Sequence, residues 1–353
     1  MKTIMRYNLQ RSLIASAATI ALFAATNGRA NLLAYEGWDY TAGGTFVGGN
    51  GGLGWNAGWI ANGSANSGNI IALSGSLTYN DGFGNTLAVS GNRGFITADG
   101  SATGDNIVGG TAAQSSPGRA LSFSRGTSGL TESTWISLLA LRTGIPNPTP
   151  GAAPNDYLYG RATQPAGFFY NATPTSTTVG NEHLVVGRAT QSTETTHPEW
   201  ANDTWALVQQ GNALASKVSN VNMAAPPADF LLIRIDHIGS TVNDVANADT
   251  ARLWINPRLD VVPSDASADV VFNASEYAAG GAAPANTTRD FIFNRIRLFA
   301  GSAQTTPSGR SYGSVEMDEL RIGETFADVT PIPEPSVAVF SGLAVLMLFW
   351  RRK

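Results

Sequence analysis

The chain has 353 residues and no cysteine, which excludes disulfides, thiolate metal sites and a cysteine nucleophile. Residues 31–330 contain 25 Asp and Glu against 15 Lys and Arg, a net charge of −10. Such an acidic body argues against nucleic acid or anionic lipid as a partner. Gly, Ser, Thr, Asn and Ala dominate the polar stretches, a composition typical of many short strands joined by long turns.

The first 30 residues have the parts of a secretory signal peptide. Three basic residues precede an apolar stretch at positions 13–25, and Gly28-Arg29-Ala30 places small residues at the third and last positions before a cleavage site. The sequence therefore predicts cleavage by signal peptidase after Ala30.

Residues 41–69 are rich in glycine and include Trp55 and Trp59. Glycine frees the backbone, whereas tryptophan side chains favour burial. We expect this segment to be a long ordered loop that packs against the face of a sheet.

Strand patterns follow as apolar or alternating runs separated by turn residues. They cover residues 121–124, 134–142, 167–171, 183–187, 230–238, 251–256, 290–300 and 314–322. Among them, the run 134–142 is apolar enough to predict burial on both faces. The best helical candidate is Ala201 to Leu214, although its apolar residues fit a strand almost as well. We predict one all-β domain over residues 31–330, built as the two-sheet sandwich of a jelly roll.

The strand run near residue 295 allows a prediction about its two faces. Simple alternation places Ile292, Ile296 and Leu298 on one apolar face and Phe293 on the other. Asn294 interrupts the apolar face, so it needs a hydrogen-bond partner if it is buried.

Several of these runs resemble successive strands of concanavalin A-like, LamG-type domains. They are Leu232-Ile-Arg-Ile-Asp, Asp249-Thr-Ala-Arg-Leu-Trp-Ile-Asn-Pro, Phe293-Asn-Arg-Ile-Arg-Leu-Phe and Val315-Glu-Met-Asp-Glu-Leu-Arg-Ile-Gly. The resemblance covers most of residues 31–328 and implies a concanavalin A-like jelly-roll β-sandwich. That fold occurs in sugar-binding lectins, glucanases and adhesive modules, so it leaves the function open.

The C-terminal residues 331–353 form a separate unit. Pro333-Glu334-Pro335 precedes an uncharged apolar run of 14 residues, Val337 to Trp350, and three basic residues end the chain. A helix of this run spans about 21 Å, which is short of the ~30 Å hydrocarbon core, but bilayer thinning or snorkelling side chains would close the gap. The tail resembles the PEP-CTERM sorting signal, which implies processing by an exosortase after transient anchoring in the inner membrane.

Glu316-Met317-Asp318-Glu319 is the one acidic group that suggests catalysis. On a strand, Glu316 and Asp318 would share a face about 6.6 Å apart, near the spacing of a glycosidase acid pair. Laminarinase-like enzymes of the resembled fold use Glu-x-Asp-x-Glu, whereas the third position here is Leu320 and Glu319 is predicted on the opposite face. We therefore expect no catalytic residues in this strand. The alternative is a structural strand with one charged partner, either Arg321 or Arg297.

A metal site is a weaker possibility. Asp236, Asp244 and Asp249 cluster in sequence with two asparagines, and carboxylates and amides in a loop are ligands that Ca²⁺ prefers. The spacing lacks the regularity of a dedicated calcium loop, so a polar hairpin turn is the alternative.

The histidines and tryptophans offer few other sites. His183 and His237 fall in or beside strand runs and are expected to be packed side chains, and the sequence has no His-x-x-x-His spacing for zinc. Most tryptophans are expected in the core. Trp200, which follows His197-Pro-Glu, is the candidate for stacking on a sugar ring.

The sequence as a whole predicts an exported, non-catalytic β-sandwich protein of the cell surface or exopolysaccharide matrix, either structural or carbohydrate-binding. One alternative is a divergent polysaccharide hydrolase or lyase of the same fold. The other is a purely structural matrix protein with no ligand.

Overall fold

The computed structural model divides into two compact units, Met1–Asn31 and Leu32–Lys353. The structure describes part of the second unit, namely residues 32–61, 70–97, 114–143, 163–173, 181–187, 204–208, 216–222, 227–239, 248–274, 290–301 and 313–332. No helix within these ranges is long and apolar enough to cross a membrane.

Within the described ranges, eight strands form the first sheet, and all the pairings among them are antiparallel. They are β1 (Leu32–Glu36), β3 (Ile70–Leu73), β4 (Arg93–Thr97), β7 (Glu132–Thr143), β12 (Asp229–His237), β13 (Thr250–Ile255), β14 (Val270–Asn273) and β16 (Ser314–Gly323). Their order is β14-β13-β12-β7-β16-β4-β3, and β1 pairs with the C-terminal half of β16. The last strand in sequence therefore lies inside the sheet, between β7 and β4.

Eight further strands of the described part of the chain form the second antiparallel sheet. They are β2 (Ile60–Ala61), β5 (Gln114–Ser115), β6 (Pro117–Arg125), β8 (Thr163–Tyr170), β9 (Asn181–Gly187), β10 (Thr204–Val208), β11 (Ser216–Asn222) and β15 (Phe293–Gly301). Their order is β11-β10-β9-β8-β15-β6-β2, and β5 also pairs with β15. Because the chain crosses repeatedly between the sheets, the architecture is a jelly-roll sandwich, and the predicted all-β fold is confirmed.

The main core lies between the two sheets. Ile136, Leu138 and Ile233 of the first sheet meet Phe168 and Leu184 of the second in one buried hydrophobic cluster. These residues occupy alternate positions along their strands, as expected when one face of each sheet is buried.

A second apolar layer covers the other face of the first sheet. It consists of residues 74–92, residues 256–268 and the short helix α1 (Phe326–Val329), and we call it the covering layer. Its side chains pack on Trp135, Leu139 and other outward-facing residues of β7, β12 and β13. β7 is therefore buried on both faces, as its sequence predicted.

Two sequence predictions fail for local reasons. Residues 204–208 of the helical candidate form β10, with Trp205 and Leu207 in the main core. The pairing of β15 with β6 shifts register between Phe293 and Arg295, so simple alternation does not hold across this point. As a result, Phe293 faces the core together with Ile296.

Candidate functional site

The acid pair of β16 does not face an open groove. Glu316 is held by Arg93, with 2.5 Å between its carboxylate and the arginine Nε. Asp318 is fully buried beneath the covering layer, where one carboxyl oxygen accepts a hydrogen bond from the N–H of Leu77 at 2.9 Å. Glu316 and Asp318 are therefore not positioned as a pair of carboxyls on either side of a glycosidic bond.

The sequence placed Glu319 on the opposite face of β16 from Asp318, and this prediction is wrong. The pairing of β16 with β7 shifts register after Asp318, and Glu319 has a positive φ of 56°. This β-bulge turns the Glu319 carboxylate toward the covering layer, where it accepts a hydrogen bond from the N–H of Ser90 at 2.6 Å and forms an ion pair with Arg321. Leu320 consequently faces the main core.

Burial of two neighbouring carboxyls changes their proton affinity. Desolvation, assisted by the negative charge of Glu319, raises the pKa of Asp318 to about 8. Perturbed carboxyls of this kind are often catalytic. Here, however, Asp318 is fully buried and bonded to the backbone, so the shift reflects a structural acid.

The candidate calcium ligands do not converge. Asp236 lies on the outward face of β12, where Arg234 and Arg252 both bind its carboxylate. Asp249 lies on the other side of that strand, where its carboxylate contacts His237 and accepts a hydrogen bond from the N–H of Phe291 at 2.8 Å. Within the described ranges no group of three or more His, Cys, Asp or Glu is placed to hold a metal ion. Asp244 lies outside those ranges.

His237 takes part in a buried row of polar side chains. Its Nδ1 lies 3.1 Å from Asp249 Oδ2, and its Nε2 lies 3.0 Å from the Thr134 hydroxyl. This order resembles a nucleophile–histidine–acid triad. Thr134 is fully buried, however, and its hydroxyl also accepts a hydrogen bond from Arg125 Nε at 2.9 Å. We conclude that the row ties β7, β12 and β6 together and offers no accessible nucleophile.

Other predicted site residues are either packed or outside the described part of the chain. His183 is buried, and its Nδ1 lies 2.9 Å from the carbonyl of Asp290. Burial lowers the pKa of His183, which favours the neutral ring. The predictions for Ala30, His197, Trp200, Pro333, Glu334 and Pro335 fall on residues that the structure does not describe.

The glycine-rich segment is organised by a buried ion pair. Glu36 of β1 and Arg119 of β6 pair in the interior, and Glu36 also accepts a hydrogen bond from Trp59 Nε1 at 2.9 Å. The Arg119 guanidinium lies 4.6 Å from the centre of the Trp55 ring. Trp55 and Trp59 therefore pack into or against the main core, and Trp59 is buried as expected.

The outer face of the second sheet carries a different kind of group, which we call the Arg297 cluster. Its members come from the neighbouring strands β15, β8 and β9. They are Arg297, Phe299, Gln164, Phe169 and Glu182. Strand pairing sets Phe299 opposite Gln164 and Phe169 opposite Glu182, while Arg297 stands opposite Gly167.

Arg297 is the centre of this cluster. Its Nη2 donates to Glu182 Oε2 at 2.8 Å and to Gln164 Oε1 at 3.2 Å. The guanidinium carbon lies 4.3 Å from the centre of the Phe169 ring and 5.3 Å from that of Phe299. Burial lowers the pKa of Arg297 and the Glu182 carboxylate opposes this, but an arginine keeps its charge in proteins.

Local sequence explains how the cluster forms. A Cβ at Gly167 would come within 2.9 Å of the Phe169 ring, so glycine lets this ring lie across its own strand. The Arg297 side chain keeps 21% of its surface exposed and that of Glu182 keeps 10%. From the sequence, Arg297 was expected only as a partner for β16. The period-2 spacing of Arg295, Arg297 and Phe299 places them opposite the apolar face of β15, but it does not show which strands lie beside them.

Comparisons with known proteins give structural matches alone. No family model matches the sequence, and no curated protein matches it. Among solved structures, an endo-β-1,4-glucuronan lyase from the fungus Trichoderma reesei aligns with a TM-score of 0.42 and 12% identity, covering 85% of this chain and 98% of its own. The cellulose induced protein Cip1 aligns with a TM-score of 0.36 and 10% identity over 77% of this chain and 91% of its own. Lectin I-B4 from Griffonia simplicifolia, in a metal-free form, aligns with a TM-score of 0.26 and 12% identity, covering 75% of this chain and 91% of its own.

Proposed function

We propose that this protein is an exported, non-catalytic β-sandwich of the cell surface or exopolysaccharide matrix, and that it binds carbohydrate through the Arg297 cluster. The observation that carries the proposal is the placement of a partly exposed guanidinium between two phenylalanine rings, with an amide and a carboxylate beside it. A related group occurs on the outer face of the first sheet, where the Arg234 guanidinium lies near Trp135 and Trp254 and pairs with Asp236, but there both tryptophans are packed into the apolar cluster of the covering layer.

The chemistry of the cluster suits a sugar chain. Guanidinium and amide nitrogens donate to ring and hydroxyl oxygens, and the Glu182 carboxylate accepts from hydroxyl groups. The half-buried Phe299 supplies apolar surface for the C–H face of a sugar, whereas Phe169, which is only 3% exposed, supports the guanidinium.

Absence of catalysis is proposed because the obvious acids have other roles. Glu316 is neutralised by Arg93, while Asp318 and Glu319 hold the covering layer to β16. A polysaccharide hydrolase or lyase is the alternative. To separate the two, the purified protein would be screened against a polysaccharide array and assayed for new reducing ends and for unsaturated products that absorb in the ultraviolet. Binding without cleavage supports the proposal, whereas cleavage of any bound glycan supports the alternative.

Export and sorting are proposed from the two ends of the sequence. Signal peptidase would cut after Ala30, and an exosortase would process the tail at Pro333-Glu334-Pro335. The double substitution Glu334→Ala and Pro335→Ala should leave the protein uncut in the membrane fraction of an exosortase-containing host, and Ser336→Ala is the matched control. Normal mature size and release of the double variant would contradict the sorting proposal.

A further inference from the structure

The carboxylate of Glu182 reaches the outer face of the second sheet through a break in strand register. Phe168 of β8 pairs with Leu184 of β9, and both face the main core. The next residue of β8, Phe169, pairs with Glu182, which skips one residue of β9. Regular alternation would place Glu182 on the core side with Leu184, whereas this β-bulge turns it outward into the Arg297 cluster.

Glu182 balances the charge of the cluster. Its Oε2 accepts from Arg297 Nη2 at 2.8 Å, and both side chains keep part of their surface exposed. Arg295, the other arginine of β15 on this face, is only 2% exposed, so it offers a ligand almost no surface. The accessible part of the cluster therefore presents one positive and one negative charge in contact with each other.

An anionic group of a glycan would meet this arrangement unfavourably. A carboxylate or sulfate that paired with Arg297 would stand roughly 5 Å from the Glu182 carboxylate, because both anions would contact the same planar guanidinium. Like charges at that distance repel each other, and more strongly where the side chains are largely removed from water. A hydroxyl group avoids this repulsion, because it can donate to the carboxylate and accept from the guanidinium.

The charge of the whole body acts in the same direction. Residues 31–330 carry a net charge of −10, which repels polyanions over a longer range than the local pair does. The Arg297 cluster thus combines a local and a global disadvantage for acidic polymers.

We infer that Glu182 makes the Arg297 cluster selective for uncharged glycans, against polymers that carry carboxylate or sulfate groups. Specificity arises here from a repulsive group placed beside the attractive one. Glu182 is therefore a specificity-determining residue, and the β-bulge of β9 is what places it in the cluster. This inference rests on the proposed carbohydrate binding and adds the class of glycan that is bound.

Oligosaccharides that differ only at C6 test the selectivity. The neutral probes are β-1,4-linked gluco- and manno-oligosaccharides, and their acidic counterparts are glucuronate and mannuronate oligosaccharides of the same linkage. The glycan that the array identifies joins them, with its C6-oxidised or carboxyl-reduced form. In calorimetry at low ionic strength, we expect the Kd of the bound neutral probe to lie at least about tenfold below that of its acidic counterpart. Equal or tighter binding of the acidic member would overturn the inference and leave carbohydrate binding intact.

Two variants assign the selectivity to Glu182. Glu182→Gln removes the negative charge and keeps an oxygen that accepts from Arg297, so it should bind the acidic probe at least about tenfold more tightly than the wild type does. Asp260→Asn is the matched control, because Asp260 pairs with Arg258 beside the Phe83 ring and its replacement changes the net charge equally. No gain for Glu182→Gln, or an equal gain for the control, would show that Glu182 does not set the selectivity.

The salt dependence of the wild-type protein gives a measurement that needs no variant. Salt screens the repulsion between charges, so raising NaCl to about 1 M should lower the Kd of the acidic probe at least about threefold and change that of the neutral probe less than about twofold. A Kd for the acidic probe that stays constant or rises with salt would overturn the inference. Absence of binding to every probe, in every protein and at every salt concentration, would instead contradict the proposed carbohydrate binding.

Discussion

Asn294 of β15 and Asn171 at the end of β8 exchange two hydrogen bonds. The Asn294 amide nitrogen donates to the Asn171 carbonyl at 2.8 Å, and its amide oxygen accepts from the Asn171 N–H at 3.0 Å. The side chain imitates a strand backbone at the point where the register of β15 changes. The partner that the sequence required for a buried asparagine is therefore present.

Replacement of Asn294 should lower the stability of the fold. Asn294→Ala leaves a backbone donor and acceptor of Asn171 without these bonds, so we expect the free energy of unfolding to fall by about 2–4 kcal/mol in urea titrations. Asn80→Ala is the control, because Asn80 also makes two hydrogen bonds but lies at an exposed turn, and we expect a loss below about 1 kcal/mol. Similar losses for the two variants would show that the Asn294 pair contributes no special stability.

The stability of the fold should depend on keeping both members of the buried Glu36–Arg119 ion pair. Arg119→Met would leave the Glu36 carboxylate buried without its cation, which typically costs about 3–5 kcal/mol. Adding Glu36→Gln to this variant should restore at least about 1 kcal/mol, because the glutamine is neutral and still accepts from Trp59. Chemical denaturation of the single and double variants measures the difference, and a double variant less stable than Arg119→Met would contradict this account.

Asp318 should make stability depend on pH. Burial raises its pKa in the folded protein to about 8, from the 3.8 of a freely exposed aspartate. The unfolded chain therefore loses this proton at lower pH than the folded one, and the Asp318 contribution to stability falls as pH rises from about 4 to about 8. Urea unfolding at pH 5, 7 and 9 would show a shallower decline for Asp318→Asn than for the wild type. Parallel pH profiles would show that Asp318 is not the responsible group.

Much of the fold follows from sequence patterns, and the departures occur where the backbone breaks its regular period. The strand runs and the jelly-roll class were predicted from alternation and turn residues, and β7 was correctly predicted to be buried on both faces. Bulges at Glu319 and near Asn294 reverse side-chain direction, and local periodicity gives no sign of them.

The candidate site could not be predicted from the sequence, for a different reason. The Arg297 cluster draws on three strands, and its members meet only through the order β9-β8-β15, which joins residues more than 100 positions apart. The sequence pointed instead to Trp200, because tryptophan side chains commonly stack on sugars, and to the acids of β16, because three of them fall within four residues. In the structure, Asp318 and Glu319 attach the covering layer to β16, and Glu316 pairs with Arg93 of β4.

The most direct test of the proposed function is the affinity of the purified protein and two arginine variants for a glycan that the array identifies. Arg297→Ala removes the centre of the cluster, whereas Arg258→Ala removes an arginine of similar surroundings elsewhere, since Arg258 pairs with Asp260 and lies 4.2 Å from the centre of the Phe83 ring. We predict that Kd, measured by calorimetry, rises at least about tenfold for Arg297→Ala, equivalent to about 1.4 kcal/mol, and stays within about twofold for Arg258→Ala. Equal affinities of all three proteins, or no glycan bound by any of them, would contradict carbohydrate binding at the Arg297 cluster.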